Sequence, residues 1–451
     1  MRTIFIPIYD GMISKNILRT DVFDILRKRD DLEFVFIVDP AKKSILEEEF
    51  KNEKIHIEAP PQFYYKGLER IWARFLSQVP RTASIKNFIE GSPVTPRKSF
   101  LKRKFQLLLR EIFDHKLCRW FFRTTDKILF GGHQMTYLFE KYKPDLVFAA
   151  NIYGPADVWA LKQAQKRGIP NIGMVKSWDN LTTRGLFRVH PEKLIVHNHQ
   201  LAEQAVKIDD YAIDRIFVSG IPHYDIFFKE KNLYSRESFW KKYGIDQDKK
   251  IILYCEPGSN HAFWGHEIWQ IIAEFLKDKK NVLPAEFFVT IHPAYPVRED
   301  ILKKLKIKFV RLGEYANSST KSWEFLDTDM LELMYMIKFS DLVINTGSTM
   351  NIEAAILDKP IINVAFDGYT ERNYRDSVRQ YYDQEHLVNI VKTGGVKVAY
   401  GKEELLAQIN ELLENPKIGQ DGRRKIAEEQ CVFTDGQSGK RVGEYILKAL
   451  G

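Results

Sequence analysis

Cysteine is scarce in this chain. Cys118, Cys255 and Cys431 stand far apart, odd in number and without a CxxC pair. That excludes a disulfide framework or a zinc cluster as the organising principle and makes a reducing cytoplasm the expected compartment. Long uncharged apolar runs are missing too. The first run, residues 3–9, breaks at Asp10-Gly11, too short for a signal peptide or a membrane span. Low-complexity tracts, a P-loop lysine motif, a GxGxxG fingerprint and a Ser-His-Asp order are all absent. His197, His199 and His223 lie close in sequence but not at a metal-binding spacing, so no metal is expected.

What is present is enough for large cores. Of 451 residues 44% are hydrophobic, which suits two or three domains. The net charge of +8 suggests an anionic partner: a phosphate-bearing substrate, nucleic acid or a membrane surface. Short apolar runs recur at 3–9, 34–38, 146–149, 171–175, 193–196 and 216–218, then at 251–254, 287–291, 308–312, 342–344 and 361–364. Helical patterns such as 156–167 and 266–277 fill the gaps. Alternation of this kind predicts an α/β fold of parallel sheets with both faces covered. The charged stretch after Pro222 carries no apolar strand. We therefore expect a first domain over 1–225, a linker over 226–250, a second domain over 251–432, and a terminal helix within 433–451 that packs back on the first domain.

Residues 81–128 break the pattern. They hold twelve Lys or Arg against four Asp or Glu, interleaved with Phe100, Phe105, Leu108, Ile112, Trp120 and Phe121. This predicts amphipathic helices with a basic face, inserted in the first domain at about 65–130. Two readings stay open: a patch around Lys102, Arg103 and Lys104 that lies on an anionic membrane or receives a lipid-linked acceptor, or an ordinary lobe helix with a solvated basic face. No nucleic-acid motif accompanies the charge, which argues against a nucleic-acid partner.

The segment from Ser340 to Ala355 is the most informative. Leu342 to Ile344 reads as a buried strand, Asn345-Thr346-Gly347-Ser348-Thr349 as a tight turn, and 350–357 as a helix ended near Asp358-Lys359-Pro360. Such a turn offers backbone N–H groups to a phosphate, with Glu353 one helical turn inside; a plain capped helix is the alternative. Three further loops follow strands in the same half: Glu256 to His261 with Gly258 and Ser259, His292-Pro293, and Phe366-Asp367-Gly368. In an open parallel sheet, ligands bind beyond the carboxyl ends of the strands.

The first half has its own polar loop, Lys176-Ser177-Trp178-Asp179-Asn180-Leu181-Thr182-Thr183-Arg184-Gly185. Asp179 is the candidate general base on an acceptor hydroxyl. Lys176 and Arg184 are candidate phosphate ligands, Trp178 a platform for a sugar face, and Asn180 a hydrogen-bonding neighbour. An Asx-turn in a surface loop is the competing reading. Gly11, with Asp10 and Ser14, and the stretch from Asn151 to Pro155 are placed to line the same cleft.

Taken together, these segments resemble the GT-B superfamily of nucleotide-sugar glycosyltransferases, which includes UDP-N-acetylglucosamine 2-epimerases and CDP-glycerol glycerophosphotransferases. The likeness is carried by Leu194-Ile195-Val196-His197-Asn198, by the stretch from Ile216 through Ser219-Gly220-Ile221-Pro222-His223-Tyr224 to Asp225, by Thr290-Ile291-His292-Pro293, by the stretch from Ser340 to Ile362 and by a closing segment from His386 to Leu413. It implies two Rossmann-like lobes around a cleft. It implies a nucleotide-sugar donor in the second lobe, with Gly347, Ser348 and Thr349 on the diphosphate, Glu353 on ribose or sugar, His292 near the phosphates, and Gly258 and Ser259 on the cleft floor. It implies a glycan or lipid-linked acceptor and no metal or cofactor. The expected activity is sugar transfer to a surface polysaccharide, lipopolysaccharide or lipid-linked acceptor, in the cytoplasm or peripherally on the membrane's inner face, with Asp179 and His292 catalytic. Glycerophosphate transfer or 2-epimerisation on the same fold is the alternative, and a nucleotide-sugar-binding scaffold the non-enzymatic one. Asn345-Thr346-Gly347 departs from the Thr-Asp-Tyr turn of glycerophosphotransferases, which counts against that alternative.

Overall fold

The computed structural model describes residues 1–8, 10–92, 98–229, 233–246, 248–257, 264–278, 283–291, 297–315 and 323–451. The first sheet contains β1 (Arg2–Ile8), β2 (Leu32–Val38), β3 (Ile55–Glu58), β4 (Leu146–Ala149), β5 (Asn171–Met174), β6 (Lys193–Val196) and β7 (Ile216–Val218). The second lobe follows with β8 (Lys250–Glu256), β9 (Ala285–Ile291), β10 (Lys308–Arg311), a small antiparallel ribbon of β11 (Glu314–Tyr315) and β12 (Trp323–Glu324), then β13 (Leu342–Asn345), β14 (Ile361–Val364) and β15 (Lys397–Ala399). The sheets are parallel, with orders β3-β2-β1-β4-β5-β6-β7 and β10-β9-β8-β13-β14-β15. These are two Rossmann-like lobes. In each, the strand order reverses beside the lobe's first strand, between β1 and β4 and between β8 and β13, which opens a crevice at the carboxyl ends.

The central strands read as continuous apolar runs because helices cover both faces. Ile4 and Ile6 join one core cluster and Phe5 the other, on opposite faces of β1. Edge strands are less apolar. Ile55-His56-Ile57-Glu58 and Lys397-Val398-Ala399 alternate or begin with charge, which is why the apolar-run search passes over β3 and β15.

Between β3 and β4 the described residues include the helices Gly67–Leu76, Ala83–Glu90, Phe100–Phe113 and Lys116–Leu129 of the insertion, then Thr136–Tyr142 leading into β4. Leu76, Val79, Phe122 and Leu186 form their small core, with the Phe75 and Phe122 rings edge-on at 5.2 Å. A buried ion network fastens this insertion to the lobe. Arg188 Nη2 donates to Asp126 at 2.6 Å and to Glu69 at 3.0 Å, and Lys162 Nζ donates to Asp126 at 2.8 Å.

The segment read as a linker is partly built into the second lobe. It holds the helix Arg236–Lys241, whose Phe239 and Trp240 are buried, Trp240 lying 5.3 Å from the Phe288 ring. The final helix, Ser438–Leu450, returns to the first lobe. Gly439 and Gly443 let it lie directly on the helix Asp21–Arg27: a Cβ at Gly439 would meet the Asp21 Cβ at 3.0 Å and one at Gly443 the Val22 carbonyl at 3.1 Å. Tyr445 stacks on Phe217 at 4.2 Å.

One carboxylate clasps the lobes. Glu324 of β12 is buried against Lys42 and against Arg19 Nη1, which donates at 2.7 Å, and the Ser14 hydroxyl donates to it at 3.3 Å. All three partners belong to the first lobe. Gly11 permits the approach, since a Cβ there would lie 2.4 Å from the Trp323 carbonyl oxygen. Removing the acid leaves the buried Lys42 without its ion-pair partner and Arg19 with Glu49 alone, the costly way to break such a cluster. We predict that Glu324→Ala lowers the unfolding free energy by about 3–5 kcal/mol, measured by urea denaturation. Asp24→Ala, which removes the exposed Asp24–Arg27 pair, should cost less than about 1 kcal/mol.

Candidate functional site

The crevice is lined from both sides. On the second lobe, β13 ends at Asn345 and the chain turns through Gly347, which has φ +64 and a Leu387 methyl 2.8 Å from where a Cβ would lie. Only glycine takes both constraints without strain. Asn345 is fully buried and organises the turn: its Oδ1 accepts from the Ser348 amide at 2.9 Å, and its Nδ2 donates to Asn351 at 2.9 Å. The Ser348 hydroxyl accepts from the Met350 amide at 3.3 Å. Two of the amides that the sequence offers to a phosphate are therefore engaged within the turn. The helix that follows, Met350–Ile356, is short.

A cavity of about 160 Å³ lies over this turn. Ser348, Thr349, Glu353, Thr290 and Pro257 line it from the second lobe, Met12 and Lys15 from the first. Glu353 is 3% exposed, and its Oε2 has no hydrogen-bond partner among the described residues. Burial pushes its carboxyl above the ordinary value, against the pull of Lys15 and of the Tyr224 hydroxyl. Burial likewise lowers the Lys15 ammonium, opposed by Glu353. A buried acid and a half-buried ammonium from different lobes thus face one cavity. Lys15 owes its position to the π-helical turn Ser14–Leu18, closed by the Arg19 amide on the Ser14 carbonyl at 3.1 Å. Such turns are rare and recur at functional sites. Gly258, Ser259 and His292 lie outside the described residues.

On the first lobe a larger cavity, of about 490 Å³, opens at the β1–β4 crevice. Asp10, Tyr153, Lys176, Asn180 and Arg184 line it. Lys176 Nζ donates to Asp10 Oδ2 at 2.6 Å. Burial alone would raise the Asp10 carboxyl, yet Lys176, Lys42 and the Ile13 amide hold it below the usual range. Arg184 is exposed at the mouth. Gly11 lies under the Trp323 backbone rather than in either cavity.

Two readings of the 176–185 loop change. Trp178 is not an open platform: it is buried, and its ring meets His386 of the second lobe edge-on at 4.7 Å. Asp179 is heavily engaged, accepting from the Ser177 hydroxyl at 2.6 Å, the Thr183 hydroxyl at 3.1 Å and Asn180 Nδ2 at 3.2 Å. Burial would raise its carboxyl, but His386, Arg184 and these hydroxyls hold it below the usual range. A carboxylate so held is a weak base and a good orienting anion. His386 enters the sequence reading only as the start of the closing segment, with no role at the site. Its Nδ1 is buried without a partner among the described residues, burial lowers its pKa, and Asp179 and Glu385 oppose that shift. The next residue, Leu387, touches Gly347, so His386 stands between the donor-side turn and the acceptor-side loop. Nothing periodic in Gln384-Glu385-His386 announces this, and Lys15 and Tyr224 were equally silent.

Lys102 and Lys104 are exposed on the helix Phe100–Phe113, and Arg103 donates to the Glu90 carbonyl at 3.1 Å. No helix among the described residues is long and apolar enough to cross a membrane.

Comparison with known proteins adds a family. The sequence model described as CDP-Glycerol:Poly(glycerophosphate) glycerophosphotransferase matches residues 189–448, from β6 through the second lobe into the returning helix. A teichoic acid poly(glycerol phosphate) polymerase of Bacillus spizizenii is 26% identical over 235 residues, covering 51% of this chain and 52% of the polymerase. A teichoic acid glycerol-phosphate primase of the same organism is 24% identical over 192 residues, 42% of this chain and 44% of the primase. The chain thus spans about half the length of these curated relatives, or less. Among solved structures, S. aureus MnaA with UDP has a TM-score of 0.57 at 13% identity, covering 100% of this chain and 98% of that one. A UDP-GlcNAc 2-epimerase of Neisseria meningitidis bound to UDP-GlcNAc has a TM-score of 0.56 at 14% identity, covering 99% and 100%. At such identities the likeness shows the fold: two lobes of GT-B type.

The turn at Gly347 gives a direct test of the local geometry. Gly347→Ala must place a Cβ against Leu387 at a left-handed φ, and should lower stability by about 1–3 kcal/mol in chemical denaturation. Ser348→Ala, which removes a hydroxyl on the second-lobe side of the cavity, should cost less.

Proposed function

The chain belongs to the CDP-glycerol:poly(glycerophosphate) glycerophosphotransferase family, and on that premise we propose that it transfers a polyol-phosphate unit from a nucleoside-diphosphate-linked donor to an acceptor hydroxyl. The family match reverses the order in which sugar transfer and glycerophosphate transfer were expected. The relatives named as teichoic acid polymerase and primase support a cell-envelope glycopolymer as the acceptor class. The observation that carries the reading is the cavity shared by the lobes, where Lys15 and Glu353, whose Oε2 has no hydrogen-bond partner among the described residues, converge on the Ser348–Thr349 turn.

In this reading the donor's diphosphate lies between Lys15 and the turn, and Glu353 accepts from hydroxyls of the ribose or polyol. The acceptor oxygen attacks the phosphorus that bears the polyol. A new P–O bond forms, the bridging P–O bond breaks, and the nucleoside monophosphate departs with the electron pair. Lys15 stabilises the charge that develops there; among the described residues lining the cavity it is the one cation. His386, whose basicity burial lowers and the neighbouring Asp179 charge partly restores, takes the acceptor proton. Asp179 is then a positioning residue rather than the base. The acceptor approaches from the larger first-lobe cavity, where Lys176 and Arg184 meet its negative charge. Hexose transfer from a nucleotide sugar is the second reading, favoured by the Asn345-Thr346-Gly347 turn.

The first test is a thermal-shift and turnover panel. CDP-glycerol, CDP and CMP should raise the melting temperature, because a ligand that binds only the folded state stabilises it. Release of CMP in the presence of a glycerophosphate acceptor should fall about 10²–10³-fold in Lys15→Ala, the scale set by losing one charge-stabilising donor. Stabilisation and turnover with UDP- or GDP-sugars alone would install the sugar-transfer reading instead.

The acceptor of such a transfer is anchored at a membrane in this reading, and the basic helix is placed to meet the surface. Vesicles containing anionic lipid should bind the full chain. Binding should fall steeply between low and physiological salt and on replacing Lys102, Arg103 and Lys104 by Gln. Equal binding to neutral vesicles would remove the membrane from the proposal.

A further inference from the structure

Two cavities of opposite chemistry share a wall on the first lobe. One is the polar cavity at the β1–β4 crevice. The other is a groove of about 260 Å³ between the helices Gly67–Leu76 and Phe100–Phe113, floored by Ile71, Phe75, Phe105 and Leu109. Gln78 lines both. Its Oε1 accepts from Gln106 Nε2 at 2.6 Å, and Gln106 Oε1 accepts from Lys98 Nζ at 2.9 Å. The boundary is thus a short hydrogen-bonded chain from Gln78, just past the first helix, through Gln106 of the second to the Lys98 ammonium.

Three cations gather along it. Lys98 lines the polar cavity, while Arg74 and Lys102 line the groove. They repel one another: burial, then Lys102 and Arg74, pull the Lys98 ammonium below its ordinary pKa. None of the three has a carboxylate within ion-pair distance among the described residues, and no carboxylate lines the groove. An anion at this junction would relieve the repulsion. The surface beyond is apolar. Leu101, Phe105 and Leu108 are 79%, 59% and 55% exposed, and Ile71 of the facing helix is 67% exposed. Exposed apolar side chains of this size on adjoining helices mark an interaction surface rather than a solvated face.

We infer that the groove and the polar cavity are one continuous site for an anionic amphiphile. Its apolar chain lies between the two helices, its phosphate meets Lys98, Lys102 and Arg74, and its hydroxyl-bearing head passes Gln78 into the polar cavity. This rests on the proposed transfer only in making that head the acceptor; the binding site itself stands on the geometry. It differs from adsorption of the basic face on a bilayer, because it requires a single molecule to occupy both cavities.

The test uses the full chain without nucleotide and compares octyl phosphate, octanol and inorganic phosphate by isothermal calorimetry, below the micelle concentration. Octyl phosphate should bind at least tenfold more tightly than either of the others. Lys98→Gln and Phe105→Ser should each weaken it at least fivefold, whereas Lys127→Gln, on the neighbouring helix and outside both cavities, should leave it unchanged. Circular dichroism and melting temperature check that the variants fold; Lys102→Gln, at an exposed position on the groove, serves as the second cation variant. Octanol binding as tightly as octyl phosphate would reduce the groove to a bare apolar surface. Inorganic phosphate binding as tightly would confine the site to the cations. Indifference of the affinity to Phe105→Ser would overturn the continuous site. Because no nucleotide is present, loss of CMP-induced stabilisation with octyl phosphate binding intact would sink the transfer reading and leave this one standing, and the converse would do the reverse.

Discussion

Everything in the cleft depends on a single buried acid. Glu324 has left water, and a carboxylate does so only where charge and hydrogen bonds replace its hydration. Arg19, Lys42 and Ser14 supply them, and all three come from the other lobe. The consequence spreads along the chain. Arg19 closes the π-helical turn that holds Lys15, so the clasp that joins the lobes also sets the height of Lys15 over Glu353. The same clasp seats β12 on Gly11, where only hydrogen fits. A charge cluster that contributes little net stability against an apolar substitute can still fix one arrangement of two domains, and fixing an arrangement is what a site built from both lobes requires.

The polar loops teach a second lesson. Asn345 and Asp179 sit in stretches dense with hydrogen-bonding groups, which reads in sequence as readiness for a ligand. Most of those groups serve the loops themselves. Asn345 holds its own turn, and Asp179 collects the hydroxyls of Ser177 and Thr183. A buried loop must satisfy its polar atoms before it serves anything else. The atoms left over are the informative ones, Glu353 Oε2 and His386 Nδ1 among them.

This explains what was legible in advance. The central strands stand out because burial on both faces demands unbroken apolar runs, and the loops after them because Gly, Pro and Asn must end them. Sheet order, the edge strands β3 and β15, and the helix Arg236–Lys241 are not legible, since Phe239 and Trp240 are only two apolar residues in a charged stretch until Tyr335 and Phe288 surround them. The basic insertion was legible as amphipathic helices, but not the groove between two of them, which needs helices separated by a sequence gap to lie side by side. Lys15, Tyr224 and His386 were invisible for the same reason. Each acts across the cleft on a residue more than a hundred positions away, and no local pattern encodes such a meeting. The turn at Asn345 misled in one further respect: its departure from the family's usual residues weighed against a membership that the remainder of residues 189–448 supports.

The returning helix Ser438–Leu450 has a mechanical consequence. The chain crosses between the lobes once after β7 and again before this helix, and Asp225 ties the two crossings together by accepting from the Ser438 and Gly439 amides at 2.9 and 2.7 Å. A single tether would act as a swivel, free to twist about its own length. Two tethers pinned side by side act as a door hinge. Such a hinge would favour one axis of opening, and opening along it would have to break the Glu324 clasp and take Glu385 from the amides of Ala83 and Ser84. The helix Ala83–Glu90 keeps its Thr82 cap but would lose the carboxylate at its first turn, so the swing of the lobes and the firmness of that helix of the insertion are coupled.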